Sequence, residues 1–333
     1  MIRLTLLGCI LLISFRTLSV EVSPFIVNGS DASISNYPSF ASLFYRNGGM
    51  YSTSPYCGAT MINDQYVLTA AHCIYDDNNL MLYTVVAPQL EDKSYFLSNQ
   101  QSRAQAFYYP DNYQDSEIEL WPNDIAIIKL ETPLMISDYS ALLNSTINNA
   151  FSSMGTYKTI GHGYIEGNVP SGSRLLETDL NYVSTATCQA VFGSKITSSQ
   201  LCFDGALDGN YKNSTCSGDS GGPVYWLHGS QYIQIGITSF GPSICGNKDI
   251  NVTSVFTDVY DYRGWITRVI NGLEVPKAYV TTNNGVRVLV NNDAIANVSV
   301  SPSSGDSGGS IPPFNLWLLS LIILSRYQKN WVL

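Results

Sequence analysis

Apolar and polar positions trade places every few residues along most of this chain, and Gly, Asn, Asp and Pro separate the short runs. Alternation, or a brief apolar run bounded by turn residues, marks a strand half or wholly sunk in a core. The pattern predicts strands over 40–45, 59–63, 67–70, 82–86 and 124–130. Residues 223–226 and 232–240 read as a hairpin turning through His228-Gly229-Ser230-Gln231. Only over 263–272 does the period lengthen, with Trp265, Ile266, Val269 and Ile270 at helical spacing. After Leu273, residues 278–282 and 286–290 flank Asn283-Asn284-Gly285, a hairpin around an Asn-Gly turn. An isolated hairpin is marginal, so this one is expected to lean on the preceding chain or to belong to a truncated module. The whole reads as all-β with one closing helix, as two antiparallel barrels do.

Composition narrows the function classes. The net charge of −9 on 333 residues, with only 17 Lys and Arg, excludes a basic patch for nucleic acid and suits solubility outside the cell. The 22 tyrosines fit sheet surfaces and cross-strand packing better than a binding feature. Of seven cysteines, Cys9 falls in an apparent leader, which leaves Cys57, Cys73, Cys188, Cys202, Cys216 and Cys245. Six cysteines allow about 15 pairings, and spacing does not choose among them. No Cys-x-x-Cys or His-x-x-x-His spacing occurs, so neither a metal nor any other cofactor is expected. Asp76-Asp77-Asn78-Asn79 reads as a solvated turn rather than a calcium site.

The ends of the chain have their own character. Residues 1–19 read as a signal peptide, with Arg3, an apolar run over 4–15 and Thr17-Leu18-Ser19 at the cleavage positions. Leu6-Leu7-Gly8-Cys9 lacks a long enough apolar run for a lipoprotein box. At the other end, 274–300 forms the hairpin extension, 301–310 is a Ser/Gly linker, and an apolar run over 311–324 precedes Arg326 and Lys329. That run is shorter than the ~20 residues that span a bilayer.

Candidate chemistry centres on Cys216-Ser217-Gly218-Asp219-Ser220-Gly221-Gly222-Pro223. A serine hydroxyl is a poor nucleophile and needs a base beside it and donors for the oxyanion that forms. Glycines flanking Ser220 let backbone N–H groups approach a substrate carbonyl, and those of Gly218 and Ser220 are the natural donors. The same five letters recur at 305–309 in a low-complexity setting, where they read as linker. Upstream, Leu68-Thr69-Ala70-Ala71-His72-Cys73 supplies a histidine, and Asn123-Asp124-Ile125-Ala126 supplies an aspartate opening an apolar strand. His162 and His228 read as structural and exposed, respectively.

Together with Ile26-Val27-Asn28-Gly29, these segments resemble the chymotrypsin/trypsin family of serine endopeptidases over about residues 26 to 270. The resemblance implies two six-stranded antiparallel β-barrels with a C-terminal helix and a cleft between them. There His72, Asp124 and Ser220 would act as base, orienting carboxylate and nucleophile on protein or peptide substrates. It implies the disulfides Cys57–Cys73, Cys188–Cys202 and Cys216–Cys245, which leave no free thiol outside the leader and suit a secreted or cell-surface protein. All three triad positions are filled, which counts against a non-catalytic homologue serving as a binding module.

The same resemblance makes 20–25 a short pro-segment and 26–273 the protease domain. Cleavage before Ile26 would free an α-ammonium to pair with Asp219 and order the oxyanion loop. Phe25 departs from the Arg or Lys of trypsin-type activation, so self-processing becomes an expectation if the pocket takes aromatic residues. Ser214 stands at the pocket floor where a trypsin has Asp, implying a chymotrypsin-like preference for aromatic or large apolar residues. Ser239, Phe240 and Gly241 form one wall, and Ser254 would narrow the other. Asp249, in a lengthened loop, offers an alternative trypsin-like specificity. The tail resembles the GlyGly-CTERM sorting tail of secreted Vibrio-type bacterial proteases, with a GPI signal as the alternative and transient membrane association as the consequence. Glycans at the formal acceptors Asn28 and Asn213 would obstruct such an enzyme, which favours a source without N-glycosylation.

Overall fold

The computed structural model describes residues 26–140, 148–165, 169–170 and 172–292. The leader 1–19, the pro-segment 20–25 and the linker and tail over 301–333 lie outside the described residues.

The predicted strands close into two barrels. In the first, β1 (Phe40–Asn47), β2 (Cys57–Met61), β3 (Tyr66–Thr69), β4 (Thr84–Pro88), β5 (Ser102–Tyr108) and β6 (Ala126–Leu130) pair in the order β5-β4-β1-β2-β3-β6, and β6 returns to β5. In the second, β7 (Tyr157–Gly161), β8 (Leu176–Val183), β9 (Gln200–Asp204), β10 (Pro223–His228), β11 (Gln231–Phe240) and β12 (Ser254–Asp258) run β7-β8-β9-β12-β11-β10, and β10 returns to β7. Every pairing is antiparallel, and closure leaves no free edge within either ring.

Side-chain alternation explains the inside and outside of each ring. Along β8, Leu176, Thr178 and Leu180 are buried while Asp179 and Asn181 face water. The first core gathers Leu43, Met61, Leu68, Phe107 and Ile127. The second is aromatic: Phe203 meets Tyr157 and Phe256 edge-on at 5.1 and 5.4 Å.

The structure corrects two local expectations. Leu82 and Tyr83 are not the start of a strand but the end of a helix, α1 (Asn78–Tyr83), and β4 begins at Thr84. Asp77 in the supposed turn is the cap of α1, its Oδ1 accepting from Leu80 N at 2.8 Å. A second short helix, α2 (Thr185–Phe192), is capped in the same manner by Ser184. The terminal helix α3 (Arg263–Ile270) ends two residues earlier than expected and buries Ile266 and Val269 against the first barrel's core.

The second hairpin leans on the barrels. Its strands β13 (Ala278–Asn283) and β14 (Val286–Asn291) turn through Asn284 and Gly285, both at positive φ (50° and 80°), as an Asn-Gly hairpin requires. β13 pairs with β5 through Ala278↔Phe107 and Tyr279↔Ala106, so the hairpin extends the first barrel's sheet and is no separate module. Arg287 fastens it, donating to the carbonyls of Ala104 (3.0 Å) and Leu82 (3.4 Å) and pairing with Glu131. No helix among the described residues is long and apolar enough to cross a membrane, and the run over 311–324 lies outside them.

Candidate active site

His72 sits on one turn of 3-10 helix (Ala71–Cys73) that follows β3, and Asp124 stands just ahead of β6, the strand paired with β3. That pairing brings the two together. Asp124 Oδ2 lies 2.8 Å from His72 Nδ1, and Asp124 Oδ1 accepts from the His72 backbone N–H at 2.9 Å. Ser239 Oγ adds a third hydrogen bond, donating to Oδ2 at 2.5 Å, and Thr257 Oγ1 donates to the Asp124 carbonyl at 2.7 Å. The carboxylate is fully sealed while the imidazole keeps 23% of its exposure, so the ring alone faces the cleft. Burial pushes the His72 pKa down, but the charge and hydrogen bond of Asp124, with a smaller contribution from Asp115, hold it above the ordinary histidine value.

The loop bearing Ser220 docks directly on this turn. The Ser220 carbonyl accepts from Gly58 N at 2.7 Å, on the strand whose Cys57 is bonded to Cys73. Gly221 fits only because it has no side chain: a Cβ there would overlap Thr69 Oγ1 and lie 3.1 Å from Ala70 N. Among the described residues, hydrogen bonds tie His72 to Asp124 and not to the Ser220 hydroxyl, and the N–H groups of Gly218 and Ser220 donate to no protein acceptor. Cys57, His72 and Cys73 place three potential ligand atoms within 4.8 Å of one another, but the two sulfurs are joined in a disulfide and offer no thiolate.

All three disulfides implied by the resemblance are present: Cys57–Cys73, Cys188–Cys202 and Cys216–Cys245. The last packs with Val27, which forms a bridge with Ser214. Ile26 and Val27 are fully buried. Asp219 is fully buried too, its carboxylate accepting from Gly163 N (2.8 Å) and Cys216 N (2.9 Å). Burial raises its pKa to about 7 even though both hydrogen bonds pull it down. Glycine at 163 makes room for that carboxylate, since a Cβ there would stand 2.5 Å from the Asp219 carboxyl carbon. His162, between Gly161 and Gly163, is buried and lies 5.9 Å from the Phe40 ring; burial lowers its pKa to about 3, which leaves it neutral and structural.

The expected pocket residues fall together, with some changes of part. Ser214 is sealed, its hydroxyl within reach of the carbonyls of Thr215 (2.6 Å) and Thr253 (2.9 Å). Ser254 turns its Oγ onto Thr215, accepting from its N–H at 3.0 Å, and is sealed as well. Ser239, expected in the wall, spends its side chain on Asp124. Phe240 is half-buried and Gly241 exposed beside Thr253. Asp249 is exposed, on a turn where its N–H is taken by Asn247 Oδ1. The amide nitrogens of Asn28 and Asn213 donate to the carbonyls of Tyr211 and Asp179. The supporting bonds from Ser239 and Thr257 went unseen in the sequence, where Ser239 read as part of the pocket wall and Thr257 was not singled out.

Two closed six-stranded antiparallel barrels and an imidazole clamped by a buried carboxylate define a hydrolase of the chymotrypsin type. A family model described as Trypsin matches residues 26–266. The chain is 30% identical over 270 residues to the venom plasminogen activator TSV-PA of Trimeresurus stejnegeri, covering 79% of this chain and 93% of that one. It is 29% identical over 274 residues to chymotrypsin-like elastase family member 1 of Felis catus, covering 81% and 99%. The chain therefore belongs to the trypsin family and is a serine endopeptidase.

Proposed function

We propose that this endopeptidase works through Ser220, His72 and Asp124 by way of an acyl-enzyme. Ser220 Oγ attacks the scissile carbonyl, His72 takes its proton and returns it to the leaving amine, and Asp124 fixes the tautomer and stabilises the imidazolium. The N–H groups of Gly218 and Ser220 receive the oxyanion. The observation that carries this reading is the double hold of Asp124 on His72, at Nδ1 and at the backbone N–H, which among the described residues leaves Nε2 with only the weakly accepting Cys73 Sγ at 3.9 Å, a contact a serine hydroxyl can replace.

The neutral Ser214 supports a preference for aromatic or large apolar residues, and the exposure of Asp249 weighs against a trypsin-like one. The protein is exported through its leader, as three disulfides favour, and is made as a zymogen activated before Ile26. Phe25 then matches the enzyme's own preference, and the tail over 301–333 serves sorting or anchoring at the cell surface. A serine-directed fluorophosphonate should label the mature wild type and spare Ser220→Ala. Short peptides should be cut after Phe or Leu faster than after Arg; absence of labelling removes the triad, and preference for Arg removes the pocket assignment.

A further inference from the structure

The stretch that follows α3 reaches back toward the reacting groups from outside the barrels. Lys277 stands at the root of the hairpin, and its N–H donates to the Phe107 carbonyl of β5 at 2.8 Å. The hairpin's far end returns to it, Asn292 N donating to the Lys277 carbonyl at 2.8 Å. With its backbone held from both sides, the side chain meets the loop that leaves β5. The ammonium pairs with Asp111 and lies 5.8 Å from the centre of the Tyr109 ring. Lys277 keeps only 19% of its side-chain exposure, against 91% for Asp111. Tyr109, Asp111, Trp265 and Lys277 line one cavity of about 270 Å³, so this part of the loop is held by polar contacts and not by packed core.

From Asp111 the contacts run on to Asp124. The carbonyl of Asn112, the next residue, accepts from Asn123 Nδ2 at 2.8 Å, and Asn123 Oδ1 accepts from Tyr262 Oη at 2.9 Å. Asn123 has a left-handed backbone (φ 62°), which persists only where its surroundings hold it, so the turn that presents Asp124 hangs on that side chain. The two supports trace to either end of α3: Tyr262 lies just ahead of it and Lys277 beyond it. On the other side of Asn112, Tyr113 is buried and meets the Tyr75 ring edge-on at 5.1 Å. Tyr75 N in turn donates to the Ala71 carbonyl, at the start of the His72 turn, at 2.9 Å. One short loop thus touches both the turn carrying His72 and the residue before Asp124.

We propose that Lys277 is a positioning residue: by gripping Asp111 and Tyr109 it sets the loop 109–113, which sets Asp124 against His72. A carboxylate that stabilises the imidazolium in the transition state loses rate when its placement loosens, because its worth lies in being preorganised. The loss belongs in kcat rather than KM, since the ground state does not draw on it. The inference rests on reading His72, Asp124 and Ser220 as the reacting groups.

Kinetics on one short peptide with the mature enzyme test it. Lys277→Ala and Asp111→Ala should each lower kcat by about fivefold with KM within about twofold, the range that an exposed ion pair and a cation–π contact control. Asp111 is almost wholly exposed, so its variant keeps the fold and guards against a misfolded Lys277→Ala. The double variant should fall little further than either single one, as partners in one contact do. Lys277→Arg should keep most of the rate. The proton shared between His72 Nδ1 and Asp124 gives a readout free of turnover. Its downfield nuclear magnetic resonance signal should broaden or shift in Lys277→Ala and stay as it is in Arg287→Ala, which loosens the same hairpin at its other strand. Unchanged kcat in both alanine variants overturns the proposal. So do additive losses, a loss that Lys277→Arg shares in full, or one that Arg287→Ala reproduces. A wild type that a fluorophosphonate fails to label would instead bring down the triad reading, while the resonance still reports whether Lys277 places Asp124.

Discussion

Asp124 receives hydrogen bonds from the His72 backbone, the His72 ring and Ser239 Oγ while fully removed from water. An ionised carboxylate in that position needs its acceptor sites filled, since each bond to a charged group contributes roughly 1.5–3 kcal/mol. Ser239→Ala deletes one of the three and leaves His72 in contact. If the carboxylate acts by stabilising the imidazolium, kcat should fall by about 10- to 100-fold with KM little changed, the rate equivalent of that bond. Steady-state kinetics on a single good peptide decide the matter, and an unchanged kcat would reduce Ser239 to a packing residue. At this scale the sequence showed which residues could react but not their helpers. Ser239 sits in a strand, and nothing in its neighbours tells which way its hydroxyl points.

Elements were legible wherever a short apolar or alternating run lies between turn residues. The alternating sequence of β11 and the apolar runs of β2, β3 and β6 came through because each is short, bounded by turn residues and sunk almost wholly in a core. The approach to β4 failed for a local reason: Asp77 caps a helical turn, so Leu82 and Tyr83 are helical although their apolar character suits a strand. The terminal hairpin was legible as a hairpin, but its partner was not. Its attachment to β5 depends on Arg287, whose side chain is 16% exposed and reaches two carbonyls and Glu131. Arg287→Ala leaves those groups with poorer partners. It should cost about 1–2 kcal/mol, or roughly 2–6 °C in Tm, while cleavage of short peptides is unaffected. Scanning calorimetry beside a peptide assay checks both halves, and an unchanged Tm would mean that β13 pairing alone secures the hairpin.

For the whole molecule, the buried Asp219 links the proposed activation to stability. In the folded chain it ionises near pH 7, against 3.8 ordinarily, so the folded state keeps a proton that the unfolded state has already released. Stability therefore falls as pH rises from about 4 to about 7, by as much as ~4 kcal/mol for a shift of this size. A freed Ile26 ammonium paired with Asp219 would pull that pKa down and remove the decline. Denaturant melts of the uncut Ser220→Ala precursor and of the mature enzyme, across this range, should differ in slope. Asp258, also raised to about 7 by burial, and His72 contribute to both forms and cancel in the comparison. Parallel curves would argue that Asp219 receives no new partner on maturation.

What the sequence determined by itself was the alternation that makes barrels and the placing of a serine, a histidine and an aspartate in motifs too specific to be chance. Both are carried by neighbouring residues, so they can be read along the chain. Which groups steady Asp124 and where Ser254 turns its hydroxyl were decided by contacts between residues 39 to 133 positions apart, among them Thr215–Ser254, Asp124–Ser239 and Asp124–Thr257. Such contacts exist only after both barrels have closed, because closure alone fixes which side chains face one another.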